Sequence, residues 1–255
     1  MTRGSRILAA IHVLGNAILL WLGYYWLGIA ESRTATLAWS FVVVLLLVCL
    51  ATWLHGATFV WWRGKSPGLA DAFRVTLRHL VPLLVAAIGA LAIYSLLGRW
   101  ADYSSTPAFK IASYLTLRFR HPVKPATVLR IFNDVLWAVR WVVVPVFLLP
   151  AIGGVASFGW RGFRELARRA GDRRYWLLAP ALLVCAFWIP LQLMGWVPHV
   201  GGFTLEMVSF VIRLVVAYLF FVASWLLLAF FTAGGRPLFS HSKTAASQGQ
   251  GGRIE

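Results

Sequence analysis

Six long apolar blocks, at 7–29, 37–62, 79–98, 136–159, 175–197 and 207–232, limit what this chain can fold into more than any other feature. Crossing a hydrocarbon layer as a helix takes about 20 mainly apolar residues, and each block supplies them. Backbone amides find no partner in lipid, so a spanning segment closes its hydrogen bonds within a helix or in a closed barrel. Barrel strands would show as segments of about ten residues alternating apolar and polar, and these blocks do not alternate in that way. The expectation is an all-α polytopic integral membrane protein with six transmembrane helices over residues 1–235. The polar remainder, 236–255, is rich in Gly, Ser and Gln and is expected to be a disordered tail, having little apolar surface to bury.

Composition narrows the function classes. The chain is 60% hydrophobic and 13% charged, where a soluble domain is about 45–50% apolar and about 25% charged. A soluble enzyme, a disordered chain and a disulfide-stapled secreted module are excluded on that basis. The net charge of +16 would suggest nucleic acid in a soluble protein. In a membrane protein it reflects Lys and Arg gathered on cytoplasmic loops, so no nucleic-acid partner is expected. Cys49 and Cys185 lie within apolar blocks and read as small buried hydrophobes.

Charge also sets an orientation. With both termini cytoplasmic, the inner segments hold fifteen Lys and Arg residues and the outer ones seven; the reverse orientation would violate the positive-inside bias. Trp61, Trp62, Trp160 and Trp176 then fall at inner boundaries, and Trp26, Trp39, Trp100 and Trp196 at outer ones. The expected location is a bacterial inner (plasma) membrane. The opening Arg3, Arg6 and apolar run also resemble a signal peptide, but that run exceeds the 7–15 residues of a usual signal core.

The 99–135 connection is long and basic. Thr106-Pro107 signals a helix start, and Ala108, Ile111, Ala112, Leu115 and Phe119 recur at helical spacing until His121-Pro122. This predicts an amphipathic interfacial elbow between the third and fourth spans, lying across the outer mouth of the bundle or packed over helix ends. Pro125 can open the next helix. Trp62-Arg63-Gly64 and Trp160-Arg161-Gly162 raise a faint internal repeat of the 2–3 and 4–5 hairpins. Pro145, Pro150, Pro180 and Pro190 within spans free backbone carbonyls that neighbouring groups must satisfy.

Polar residues inside a span are the candidates for function, because burying them is expensive. His12 and His55 lie at similar depth in the first two spans, with Asn16 one turn after His12 and His79 opening the third. Facing imidazoles could ligate haem or a metal, or each could hydrogen-bond a backbone carbonyl or water. Arg140, Arg213 and Gln192 form a second group near the outer side. Two guanidiniums could hold a phosphate or carboxylate, a lipid headgroup included, or both could snorkel to the interface. At the inner side Arg161, Arg164, Arg168, Arg169, Arg173 and Arg174 present a face suited to anionic lipid or an acidic partner.

All eight carboxylates lie outside the spans or at their ends, whereas proton-coupled carriers rely on ionisable groups in mid-membrane. No phosphate-binding loop, dinucleotide fingerprint or nucleophile elbow is present. The chain is therefore expected to be non-catalytic and without a cofactor, an accessory, organising or lipid-binding component of a membrane complex. The alternatives are a transporter or permease component for an anionic or lipid-like substrate, then a haem-binding electron-transfer subunit. Its expected partners are membrane lipids with anionic headgroups and a larger membrane protein.

Overall fold

A computed structural model describes residues 3–30, 32–64, 68–164, 173–198 and 202–234. Six helices in it are long and apolar enough to cross a membrane, and no strand occurs among the described residues. The helices are α1 (Arg3–Leu27), α2 (Thr34–Trp62), α3 (Leu69–Arg78), α4 (Leu80–Tyr103), α5 (Ser105–Phe119), α6 (Pro125–Ala138), α7 (Val144–Phe158), α8 (Arg173–Gly195) and α9 (Phe203–Ala233). A π-helical turn, Val139–Val143, joins α6 to α7, and a 3-10 segment, Gly159–Arg164, follows α7. Arg168, Arg169 and the tail at 236–255 lie outside the described residues.

α1 starts, α9 finishes, and the α2–α4 and α7–α8 connections turn at one end of the bundle, the terminal end. α5 and the α1–α2 and α8–α9 connections lie at the other, the elbow end. Burial is uneven between them. In α1 the buried stripe Ser5, Leu8, His12, Asn16 stops halfway along, and in α8 the stripe Tyr175, Ala179, Leu183, Ala186 fades before the elbow end. The main core joins Phe59, Val60, Leu83, Val155, Tyr175 and Leu228, near the terminal end. Small residues allow close approach there, as is usual between membrane helices. A Cβ on Gly56 would come within 2.7 Å of Thr76, and one on Gly153 within 3.1 Å of Phe59. Toward the elbow end Leu20, Trp21, Leu45 and Leu214 are exposed, although α1 and α2 stay joined there by hydrogen bonds from Trp26 to Ser40 and from Trp39 to Tyr25.

α3 lies in the connection between the second and third expected spans, where no helix was predicted. Ala72 and Thr76 give it a buried face, and the Trp53 indole N–H donates to the Phe73 carbonyl at 2.9 Å. His79 forms the corner into α4, its Nδ1–H donating to the Ala156 carbonyl at 2.9 Å. The tautomer follows because a carbonyl only accepts.

The elbow is helical, but it packs along α6 instead of lying across the mouth of the bundle. Only Ala108 and Ala112 of the expected apolar stripe are buried, against Val128 of α6. Ile111 and Phe119 stay exposed because close helix approach favours alanine at the contact. The helix stops at Arg120, in the left-handed region at φ 55° ahead of His121-Pro122. Pro125 occupies the first turn of α6, where its missing N–H costs nothing. α6, the π turn and α7 contribute 14, 5 and 15 residues to a run about 50 Å long. That exceeds the ~30 Å hydrocarbon layer, and the charges Arg130 and Asp134 fall on its outer turns.

The prolines explain the π turn. The Val144 N–H bonds the Val139 carbonyl, five residues back. The next such bond would need an N–H on Pro145, which has none, so the Arg140 carbonyl is orphaned. The Tyr94 hydroxyl donates to it at 2.9 Å. Pro150 likewise withholds the bond to Val146, and the Tyr175 hydroxyl donates to that carbonyl at 2.7 Å. Two tyrosines from neighbouring helices thus close two gaps opened by proline.

At the terminal end Gly159 (φ 59°, ψ −136°) turns the chain back on itself. Gly162 is then pressed on α7, where a Cβ would sit 2.1 Å from the Gly154 carbonyl carbon. In the matched motif Gly64, at φ 63°, caps α2 directly. The two Trp-Arg-Gly motifs therefore have different local geometry. Cys49 and Cys185 are both free, and Cys185 is exposed on α8 rather than buried.

Candidate functional site

α1, α2 and α9 bring five polar side chains together in the apolar interior. His12 is fully buried; its Nε2 is 2.5 Å from Thr58 Oγ1. Asn16 donates from Nδ2 to the His12 carbonyl at 2.8 Å and to His12 Nδ1 at 3.2 Å. An accepting Nδ1 fixes the neutral Nε2–H tautomer, so His12 donates to Thr58 and Thr58 donates on to the Leu54 carbonyl at 3.1 Å. Both ring nitrogens of His12 are thereby engaged in hydrogen bonds. Among the described residues no group of three or more His, Cys, Asp or Glu is placed to hold a metal.

His55 is next to this chain, its ring centroid 5.5 Å from that of His12 and 4.7 Å from that of Trp225, edge-on. Its Nδ1 and the Trp225 indole nitrogen are buried without a hydrogen-bond partner among the described residues. His55 also divides two cavities. The larger, about 860 Å³, opens between α1, α2, α8 and α9 on the elbow-end half, walled by Leu20, Gly23, Leu47, Leu214, Ala217 and Phe221. The smaller, about 300 Å³, lies on the other side of α2 against α4 and α7, with Trp225 in its wall. Both volumes fall in the range of small-molecule sites, which are mostly apolar with a few polar groups.

The cavity lies among four helices, whose side chains line it from several sides. Pro190 of α8 and Tyr218 of α9 line it, and the Tyr218 hydroxyl is turned to the Val13 carbonyl of α1. That bond ties α9 to α1 near the middle of α1. On the far rim the Trp26 indole donates to Ser40 Oγ at 2.8 Å, joining α1 to α2.

Arg140, Arg213 and Gln192 are not assembled into one site. Arg213 is 8% exposed and donates to the Met194 carbonyl at 3.4 Å and to the Trp196 carbonyl. It caps the C-terminus of α8, where a cation also opposes the helix dipole. Arg140 instead reaches outward beside Gly98 of α4, and Gln192 is exposed on α8. None of the three lines either cavity beside His55; Arg213 borders a smaller one, about 230 Å³, with Glu206. At the terminal end Arg161, Arg164, Arg173 and Arg174 are exposed.

No protein-family model, curated protein or solved structure matches this chain. The fold defines the class, a polytopic all-α membrane protein, and an apolar cavity lies between its helices.

Proposed function

We propose that this is a non-catalytic membrane protein that holds a lipid-like molecule between its helices. The observation that carries the reading is the apolar cavity of about 860 Å³ between α1, α2, α8 and α9. Its position supports it: the cavity lies on the half of the bundle where the buried stripes of α1 and α8 stop, and Leu20, Tyr24, Leu27 and Leu214 of its wall are exposed. Its chemistry supports it as well, since no Lys, Arg, Asp or Glu lines the cavity, and Asn16, His55 and Tyr218 are among the few polar residues in its wall. An acyl or isoprenoid chain meets those requirements, and a charged solute does not. By the positive-inside argument the elbow end faces outward, so the molecule is drawn from the outer leaflet.

The permease alternative gains nothing from Arg140, Arg213 and Gln192, which border neither large cavity. The test is photo-crosslinking in reconstituted vesicles with a phospholipid carrying a diazirine in one acyl chain. Saturable labelling of Leu20, Gly23, Leu214 and Ala217, displaced by excess unlabelled lipid, is the expected result. Even, non-saturable labelling of every lipid-facing surface would overturn the proposal.

A further inference from the structure

A guanidinium stays charged at any accessible pH and is rare within a membrane span unless paired. Arg140 is such a group. It belongs to the π turn, and Tyr94 takes up its backbone carbonyl at 2.9 Å. Its side chain runs outward to Gly98, where Nη2 lies 3.8 Å from the place a Cβ would occupy. Its Nε is buried and unpaired, and among the described residues no carboxylate, carbonyl or hydroxyl accepts a bond from the guanidinium. Asp134, the nearest acid in sequence, and Asp102, four residues beyond Gly98, are exposed and make no ion pair with it.

Depth and surroundings say what would pair with it. Counted from the Phe158 end of the run, Arg140 stands roughly 27 Å along the helix axis, close to the far boundary of a ~30 Å hydrocarbon layer. Beginning one to two turns further along the run, at Pro145 and Leu148, is the 300 Å³ cavity between α2, α4 and α7, with Tyr94, which bonds the Arg140 carbonyl, in its wall beside Ala90. Arg99, adjoining Gly98, is exposed, and so are Lys110, Arg118, Lys124 and Arg130 along the elbow.

We infer that the α4–α7 groove is a site for an anionic phospholipid, with Arg140 meeting its phosphate and the cavity below taking an acyl chain. A free phosphate would satisfy the guanidinium and leave the apolar cavity unfilled. A zwitterionic lipid would bring a cationic headgroup into a region whose exposed charges are mainly basic. The two cavities share His55, α2 and α9, but the α4 and α7 walls belong to this site alone, and Arg140 is not among the residues that line the larger chamber.

The experiment is native mass spectrometry of the full chain in detergent, titrated with phosphatidylglycerol, with phosphatidylcholine of the same acyl chains, and with glycerol phosphate. One phosphatidylglycerol is expected to bind about fivefold more tightly than phosphatidylcholine, the scale of one basic residue at a membrane surface. Arg140→Gln should remove the difference, and Lys124→Gln, which deletes an equal charge on the elbow, should preserve it. Gly98→Leu keeps the charge and crowds the guanidinium, so it should remove the preference too. Equal binding of the two lipids by the wild type, or an unchanged preference in Arg140→Gln, would overturn the inference. Competition by glycerol phosphate as strong as by the lipid would also overturn it, by making the site one for soluble phosphoesters. Loss of crosslinking in the larger chamber would leave this result untouched.

Discussion

Tyr175→Phe tests how the bundle tolerates its own prolines. The ring is 1% exposed within the main core, and phenylalanine preserves its packing, so the change deletes one hydroxyl. That hydroxyl is bonded to the Val146 carbonyl at 2.7 Å. An ordinary helical carbonyl would retain its backbone donor, but here the donor position is Pro150. Hydrogen bonds between membrane helices average about 0.6 kcal/mol with a maximum near 1.7, while a polar group left unpaired in an interior costs about 1–3 kcal/mol. The absence of a fallback donor places this bond at the upper end of the first range, about 1.5 kcal/mol, or roughly tenfold in the unfolding constant. Pro150→Ala returns an N–H to the helix and should reduce the cost of Tyr175→Phe to about 0.5 kcal/mol or less. Reversible unfolding in mixed micelles, followed by far-UV circular dichroism, measures the full cycle of four proteins. A coupling near 1 kcal/mol is expected; equal costs in the two backgrounds would refute the reasoning.

Other consequences follow from the same packing. Thr58→Val removes the acceptor of the His12 Nε2–H in a fully buried pair and should destabilise by about 0.6–1.7 kcal/mol in the same unfolding assay, with no loss if His12 finds another partner. Gly162→Ala forces a Cβ to 2.1 Å from α7 backbone, which no rotamer change relieves. It should cost about 3 kcal/mol or more, read as lost monodisperse protein in size-exclusion chromatography, whereas Gly89→Ala, which meets nothing within 4 Å, should match the wild type. Tyr94→Phe should destabilise by about 1 kcal/mol, because Pro145 leaves the Arg140 carbonyl without its backbone donor.

Much of this architecture was legible because lipid imposes length. All six spans could be read from apolar runs, and the elbow from Thr106-Pro107 and His121-Pro122. α3 escaped because it is short and bears Asp71, Arg74 and Arg78, although Leu69, Ala72, Phe73 and Thr76 already carried the helical spacing. What stayed hidden was which way each helix faces. In a soluble protein the apolar stripe gives that direction, but a lipid-facing leucine looks the same in sequence as a core leucine. So the prolines of the fourth span announced orphan carbonyls without naming Tyr94 or Tyr175, which come from distant helices. His12 and His55 were visible as candidates, but Thr58, which occupies one nitrogen of His12, looked like any threonine in a span. Arg140 and Arg213 seemed alike at similar depth; only the fold shows that Arg213 closes the end of α8 while Arg140 is turned outward and unpaired. The chamber had no sequence signal, since its wall is assembled from residues of four helices far apart in the chain.

The most direct test of the account is native mass spectrometry on the protein extracted gently from its own membranes, wild type beside Ala217→Phe. Ala217 lines the larger cavity, and a phenyl ring there would occupy space that the account assigns to an acyl or isoprenoid chain. The account predicts one retained lipid-like mass on the wild type that is absent from the folded variant. A wild-type chain stripped of any such mass, or an adduct held equally by Ala217→Phe, would contradict it.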